Sequence, residues 1–247
     1  MAATVTNDQK RRAITEHYDS LTVPYGTMII NHHDPLLAGN LQENVSEIKE
    51  LMQFCKGIVI DVGANVGSHT INFARVADIV YAFEPQPRTY YNLCANLLLN
   101  LVYNVVPLNR AIGSYNGLTN VANLDPTKPN TPMGVTVGNG AQVVPMCTID
   151  SLELSPVHFI KIDTEGHEFE VLRGAEETLK RESIITYVEI HKKELIEPIK
   201  EFMIALGHIA QEYLTVFCPD PDHPGTDLWL TTGYLFYKEG RITWVEP

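Results

Sequence analysis

From Ile58 onward the chain repeats one unit, a short β-branched or aromatic run followed by a segment with apolar residues at helical spacing. The runs cover Ile58-Val59-Ile60, 79–83, 105–108, 157–162 and 184–190. The helical patterns cover 68–77, a segment through Tyr90, Leu93, Leu97 and Leu98, then 168–180 with Val171, Leu172, Ala175 and Leu179 on one side, and 193–206. Near-continuous apolar strands need cover on both faces, and the intervening helices provide it. The spacing therefore predicts a doubly wound α/β fold built on a mostly parallel sheet.

Two places break the alternation. Between Gly113 and Asp150, the pairs Asn116-Gly117 and Asn139-Gly140 and several prolines flank short alternating segments, which predicts a β-hairpin inserted at about 114–147. At the end, 208–217 and 233–237 are strand-like runs joined through Pro219, Pro221 and Pro224, with little room for a helix between them. An antiparallel closing pair fits them. Before Gly57 the character differs. Residues 44–55 place Val45, Ile48, Leu51, Met52 and Cys55 on a helical face, 25–30 is a short strand, and 7–18 is a polar helix. The expected division is a prelude, 1–56, packed on or capping a catalytic domain, 57–247.

With 247 residues and 45% apolar content, the chain is long enough to bury a sizeable core. A formal net charge of −12 repels phosphate backbones, so a nucleic-acid partner is not expected. Lys10, Arg11 and Arg12 precede no apolar h-region, and no apolar run approaches a membrane span, since Asn96, Asn100 and Asn104 interrupt the longest one. A cytoplasmic location follows as the expectation. Cys55, Cys94, Cys147 and Cys218 form no C-x-x-C pair and are read as reduced thiols, which makes the Asn44-Val45-Ser46 sequon a chance match. His32-His33-Asp34 could hold a metal on paper, but adjacent side chains on a strand point apart.

In a doubly wound sheet, ligands sit beyond the carboxyl ends of the strands where strand order reverses. The first such end is Asp61-Val62-Gly63-Ala64-Asn65-Val66-Gly67. Gly63 allows close approach to a ligand, and Gly67 lets the next helix pack tightly and present its amides. Asn65 takes the place of the middle glycine of a dinucleotide fingerprint, which speaks against NAD. An acidic residue before the turn, Asp61, suits a cationic ligand such as a methionyl ammonium. The second run ends in Phe83-Glu84-Pro85, and Glu84 stands 21 residues past Gly63, near the spacing at which an acidic residue accepts from ribose hydroxyls. The third is followed by Asn109-Arg110-Ala111-Ile112-Gly113, where an adenine-facing loop and an ordinary loop are both open readings.

The fourth run continues as Lys161-Ile162-Asp163-Thr164-Glu165-Gly166-His167-Glu168. Alternation puts Lys161 and Asp163 on one strand face, with Glu165 and His167 in the turn that enters the helix. Such a cluster could hold a general base; equally, Lys161 could pair with Asp163 structurally while the glutamates serve the helix dipole. Glu189-Ile190-His191 ends the fifth run at the same rim, as base and orienter, half of a metal site, or a capping histidine.

These residues make the chain resemble the FkbM family of S-adenosylmethionine-dependent methyltransferases. The resemblance rests on Val59 through Gly67, Phe83-Glu84-Pro85, Asn109 through Gly113, Thr148-Ile149-Asp150 and Phe159 through Ala175, and it spans residues 57 to about 191. It implies a seven-stranded Rossmann-like methyltransferase sheet and O-methylation of a hydroxyl on a sugar, glycan or natural product. It also implies that Asp61, Gly63 and Gly67 form the methionyl pocket, Glu84 holds the ribose, and Asn109, Arg110 and Ala111 border the adenine, with Ala64, Asn65, Pro85 and Asp163 as further cofactor-binding residues. Asp163 and Glu165 would then face the transferred methyl, with Lys161, His167, Glu189 and His191 as further catalytic candidates. No metal is obligatory, although a carboxylate-rich rim could bind Mg²⁺. A nicotinamide oxidoreductase and a cofactor-binding scaffold without catalysis stand as alternatives.

Overall fold

A computed structural model describes residues 18–31, 45–124, 137–219 and 227–241. The prelude contributes an antiparallel hairpin, β1 (Tyr18–Val23) and β2 (Gly26–Asn31), and the helix α1 (Val45–Met52). Of the polar helix expected over 7–18, only Tyr18 lies among the described residues, and it opens β1. The His32-His33-Asp34 candidate and most of the proline-rich segment before Asp227 also lie outside them.

The main sheet is formed by β3 (Ile58–Val62), β4 (Ile79–Phe83), β5 (Val105–Leu108), β9 (Val157–Ile162), β10 (Ile185–Ile190), β11 (Ile209–Pro219) and β12 (Asp227–Tyr237). Its order is β11-β12-β10-β9-β3-β4-β5, and β12 runs antiparallel to both of its neighbours. This is the seven-stranded, mostly parallel sheet that the resemblance implied. The chain starts at the central β3, winds outward through β4 and β5, then returns to lay β9 on the other side of β3. Strand order thus reverses between β3 and β9, where Asp61 lies opposite Lys161 and Val62 opposite Ile162. A crevice opens at such a reversal because the two flanking loops leave in opposite directions.

The connecting helices are α2 (Ser68–Phe73), α3 (Pro87–Leu99), α4 (Glu168–Arg173), α5 (Glu176–Arg181) and α6 (Ile196–Ala205). Two are shorter than their apolar spacing predicts. After Phe73 the amides of Arg75 and Val76 bond three residues back, and Asn104 Nδ2 donates to the Ala74 and Ala77 carbonyls, which ends α2 early. The pattern over 168–180 divides at Gly174, where a Cβ would lie 2.0 Å from the Gly113 carbonyl oxygen. Asp150 caps the second half, accepting from the amides of Glu177 at 3.1 Å and Thr178 at 2.8 Å.

The insertion is a three-stranded sheet rather than a bare hairpin. β7 (Gly117–Val121) pairs antiparallel with β8 (Gln142–Cys147), and β6 (Ala111–Ile112) adds in parallel on the other side. Two apolar layers fill the faces of the main sheet. Phe83, Ile162, Val171, Leu172, Val188 and Met203 belong to one, and Leu51, Phe73, Phe159 and Tyr187 to the other. A third cluster joins Met28 and Ile48 of the prelude to Val66, Ile71 and Leu93 after Gly57, so the prelude shares the core. Among the described residues, no helix is long and apolar enough to cross a membrane.

Candidate active site

The turn after β3 is bent by three positive φ angles, Gly63 at 79°, Asn65 at 49° and Gly67 at 95°. Gly63 permits no side chain, because a Cβ would stand 1.8 Å from the Asp163 carbonyl oxygen. The missing Cβ brings the turn after β3 directly against the end of β9. Lys161 fixes the same junction from below. Its Nζ donates to the Gly63 carbonyl at 3.2 Å and to Asp163 Oδ2 at 3.0 Å, and lies 3.5 Å from Asp61 Oδ1. Asp61 Oδ2 also accepts from Thr70 Oγ1 at 2.6 Å, tying the strand to α2.

Asp61 is fully buried and Lys161 is 1% exposed. Neither is among the residues that line the cleft. Both hold the floor. The carboxylates raise the lysine pKa against the lowering effect of burial, so it stays charged.

The cleft is lined by Val62, Gly63, Asn65 and Val66 of the glycine turn, by Phe83, Glu84 and Pro85, by Arg110, Ala111 and Ile112, and by Asp163, Thr164 and Glu165. Glu84 is 6% exposed, and its two carboxylate oxygens accept from the amides of Asn65 at 3.0 Å and Gln86 at 2.9 Å. Burial pushes its carboxyl up to about 7 even against those two amides. Asn109 does not line the cleft, because its amide donates to the Glu84 and Pro85 carbonyls at 2.9 and 3.0 Å. It sets the angle of the loop that carries Arg110 and Ala111. Ala64 is buried and Gly67 lies against Leu93; neither is among the residues that line the cleft.

Around Asp163 the rim becomes a charge cluster. His191 Nε2 lies 3.6 Å from Glu165, 3.7 Å from Asp163 and 4.0 Å from Glu189, while its Nδ1 meets the buried Glu168 at 3.3 Å. Burial alone would lower the imidazole, but the hydrogen bond to Glu168 and three further carboxylates raise it to about 10. His191 is therefore an imidazolium at neutral pH. Burial raises Asp163 less than Lys161 and His191 lower it, leaving this carboxyl below its usual range. Burial carries Glu165 up to about 7, and burial with Asp163 and Glu47 carries Glu189 up to about 8. Thr231 Oγ1 donates to Glu189 at 3.1 Å. Asp163, Glu165 and His191 each bring one donor atom within 4.8 Å of the others, a spacing that a divalent ion could share. The chain also supplies cations of its own there, Lys161 and His191.

His167 stands apart from the other candidates. It precedes α4, and its ring packs toward Gly113, where a Cβ would come within 3.1 Å of its Nε2. It is absent from the cleft wall, and burial holds its pKa below the usual value.

Seven residues of the wall had no sequence signal assigned to them, Leu124 and Val137 of the insertion among them. Tyr18 and Asn31 face one another at the open end of the β1–β2 hairpin, and only the fold brings them to the cleft. Arg88, Thr89 and Asn92 come from the first turns of α3, where the i, i+4 spacing of 88 and 92 on the helix after Glu84 was the available clue. Arg88 also donates to the Leu124 carbonyl at 3.1 Å, which attaches the insertion to the cleft.

The chain has relatives in both sequence and fold. Residues 61–213 match the methyltransferase FkbM domain, and the chain belongs to that family. It is 31% identical over 141 residues to the hexuronic acid methyltransferase AglP of Haloferax volcanii, a match covering 54% of this chain and 56% of that protein. It is 38% identical over 72 residues to a tRNA(Phe) aminocarboxypropyltransferase of Methanocaldococcus jannaschii, covering 27% of this chain and 28% of that one. The chain thus spans about half the length of the first curated relative and less of the second. The fold resembles an FkbM methyltransferase of Methylobacillus flagellatus, at a TM-score of 0.54 and 16% identity over 74% of this chain and 44% of that one. It also resembles precorrin-6y C5,15-methyltransferase of Geobacter metallireducens, at 0.52 and 11% over 80% and 92%.

Proposed function

We propose that the chain is an S-adenosylmethionine-dependent O-methyltransferase acting on a hydroxyl of a sugar, a glycan or a small natural product. The observation that carries the reading is one cleft at the strand-order reversal with Glu84 and the carboxylates Asp163 and Glu165 both in its wall. Glu84, fixed by two amides, suits a ribose diol. The glycine turn, drawn tight against the Asp163 carbonyl at Gly63, presents Gly63 and Asn65 to a methionyl chain, and Arg110, Ala111 and Ile112 border the adenine. The bound donor supplies an already activated sulfonium methyl, so the protein's task is to hold the acceptor oxygen in line and receive its proton.

Glu165 lines the cleft and has a carboxyl near 7, which suits it to receive that proton. His191 is charged already and serves as counter-ion. Asp163, held by Lys161, orients the acceptor. The insertion and the prelude hairpin supply the outer wall, where acceptor choice would reside. The hexuronic acid of the AglP relative places sugars first among acceptors to try. A nicotinamide cofactor is disfavoured by Asn65, whose side chain stands where a dinucleotide needs glycine. A nucleic-acid acceptor is disfavoured by the net charge of −12 and by the acidic rim. A scaffold without catalysis would have no need for the carboxylate cluster to stay in the cleft.

The test is incubation with a trideuteromethyl donor and a panel of neutral sugars, amino sugars, uronic acids and hydroxylated aromatics, read by mass spectrometry. Transfer of the labelled methyl to an oxygen supports the reading. Cofactor binding with no transfer to any hydroxyl, amine or carboxylate would favour the scaffold.

A further inference from the structure

We propose that the Asp163 and Glu165 carboxylates recognise the positive charge of the donor's sulfonium, so that donor and product are told apart by charge. This rests on the cofactor reading above and deepens it. In the rim cluster five carboxylates, Asp61, Asp163, Glu165, Glu168 and Glu189, surround two cations, Lys161 and His191. Glu47 of α1 stands behind them as a further carboxylate, bonded to Tyr187 Oη at 2.7 Å, and His69 beside Lys161 is held neutral by burial. The cluster is short of positive charge.

Lys161 is committed to Asp61, Asp163 and the Gly63 carbonyl, and cannot turn toward the cleft without breaking the glycine turn. Glu165 is held in the wall at φ 55° just before Gly166 at 99°, and its carboxylate reaches His191 only at 3.6 Å, beyond hydrogen-bond length. These carboxylates share the wall with Gly63, the same turn that would approach the methionyl chain. The raised carboxyls of Glu165 and Glu189 agree with a site lacking one cation.

The consequence follows the electrons. In transfer the methyl carbon bonds the acceptor oxygen, the carbon–sulfur pair stays on sulfur as a neutral thioether, and the acceptor's proton moves to a cleft carboxylate. When that proton leaves to solvent, the cluster again lacks a cation, and a fresh donor is favoured over the spent one. A unit charge about 6 Å from a carboxylate, at an effective dielectric of about 20, corresponds to roughly a hundredfold in affinity, and partial protonation of Glu165 near 7 with screening by His191 leaves about tenfold.

Titration calorimetry with S-adenosylmethionine, its amine analogue sinefungin, and S-adenosylhomocysteine tests this on the wild-type protein, Glu165→Gln and Asp163→Asn. We expect the two cations to bind the wild type about tenfold more tightly than the neutral product. In Glu165→Gln the gap should shrink severalfold while the affinity for the product is kept, which also shows that the variant is folded. Product binding as tightly as donor to the wild type overturns the inference alone, with no variant needed, as does an undiminished gap in both variants. Failure of all three to bind overturns the cofactor reading and takes the inference with it.

Discussion

His191 turns Nδ1 toward the buried Glu168 at 3.3 Å and leaves Nε2 between Asp163 and Glu165, at 3.7 and 3.6 Å. Glu168 fixes the ring, and the ring is the counter-ion of the rim. Replacing His191 with Ala removes that cation while the carboxylates stay. The protein should lose about 1 to 3 kcal/mol of stability, read by denaturant unfolding. A His191→Ala protein as stable as the wild type would mean that the cluster does not depend on the imidazolium.

The same cluster dictates how stability varies with pH. His191 is raised to about 10, and Glu84, Glu165 and Glu189 to about 7, 7 and 8. A group whose folded value is raised contributes stability that is full below its unfolded value and is lost as pH rises through the folded one. For the carboxyls that loss runs from about 4.5 to about 8, and for His191 from 6.5 to about 10. Asp163, held low, acts oppositely and only in acid. His69, His167 and His208, held low by burial, add stability as pH rises toward 6.5. The melting temperature of the ligand-free protein should therefore fall as pH rises from about 6.5 to 9, by differential scanning calorimetry. A rise over that range would contradict the assigned charges.

Asn96 offers both ends of its carboxamide to β2, accepting from the Ile29 amide at 2.6 Å and donating to the Ile29 and Val66 carbonyls at 3.2 and 2.9 Å. One turn on, Asn100 does the same for Thr27, at 3.1 and 2.8 Å. The two asparagines act as a surrogate strand that pins the prelude hairpin to α3. Asn96→Ala should cost about 2 to 4 kcal/mol, since it leaves several buried backbone groups unpaired. Hydrogen exchange should show the Ile29 amide losing protection first. Unchanged protection there would show the hairpin to be held by its apolar contacts instead.

Gly63→Ala tests the junction at the floor. A Cβ would meet the Asp163 carbonyl at 1.8 Å, at a φ of 79° that L-residues avoid. The expected cost is at least about 3 kcal/mol from overpacking and backbone strain together, or failure to fold. Gly138, also at positive φ but with open space around it, is the control, and Gly138→Ala should cost about 1 kcal/mol.

The sheet was legible because each strand is apolar on both faces and each crossover is amphipathic, a pattern that does not depend on distant contacts. The breaks in α2 and over 168–180 were not, because Asn104 and Asp150 act across the fold. Glu84, Asp163 and Glu165 could be placed from their positions at strand ends. Asp61 and Lys161 look the same in sequence, yet they point below the cleft, since alternation says which face a residue takes but not how deep it lies. Tyr18 and Asn31 reach the wall through the Asn96 and Asn100 pairing, and the sequence shows those asparagines only as interruptions of an apolar run.

Glu84 carries the central claim, that the cleft holds the donor through its ribose. Titration calorimetry of wild type and Glu84→Gln with S-adenosylmethionine, and with NADH as control, tests it most directly. The predicted result is binding of the first ligand and not the second, weakened by about 1 to 3 kcal/mol in the variant, as a lost charge-assisted pair of hydrogen bonds requires. Equal affinity of wild type and variant, or preference for NADH, would contradict it.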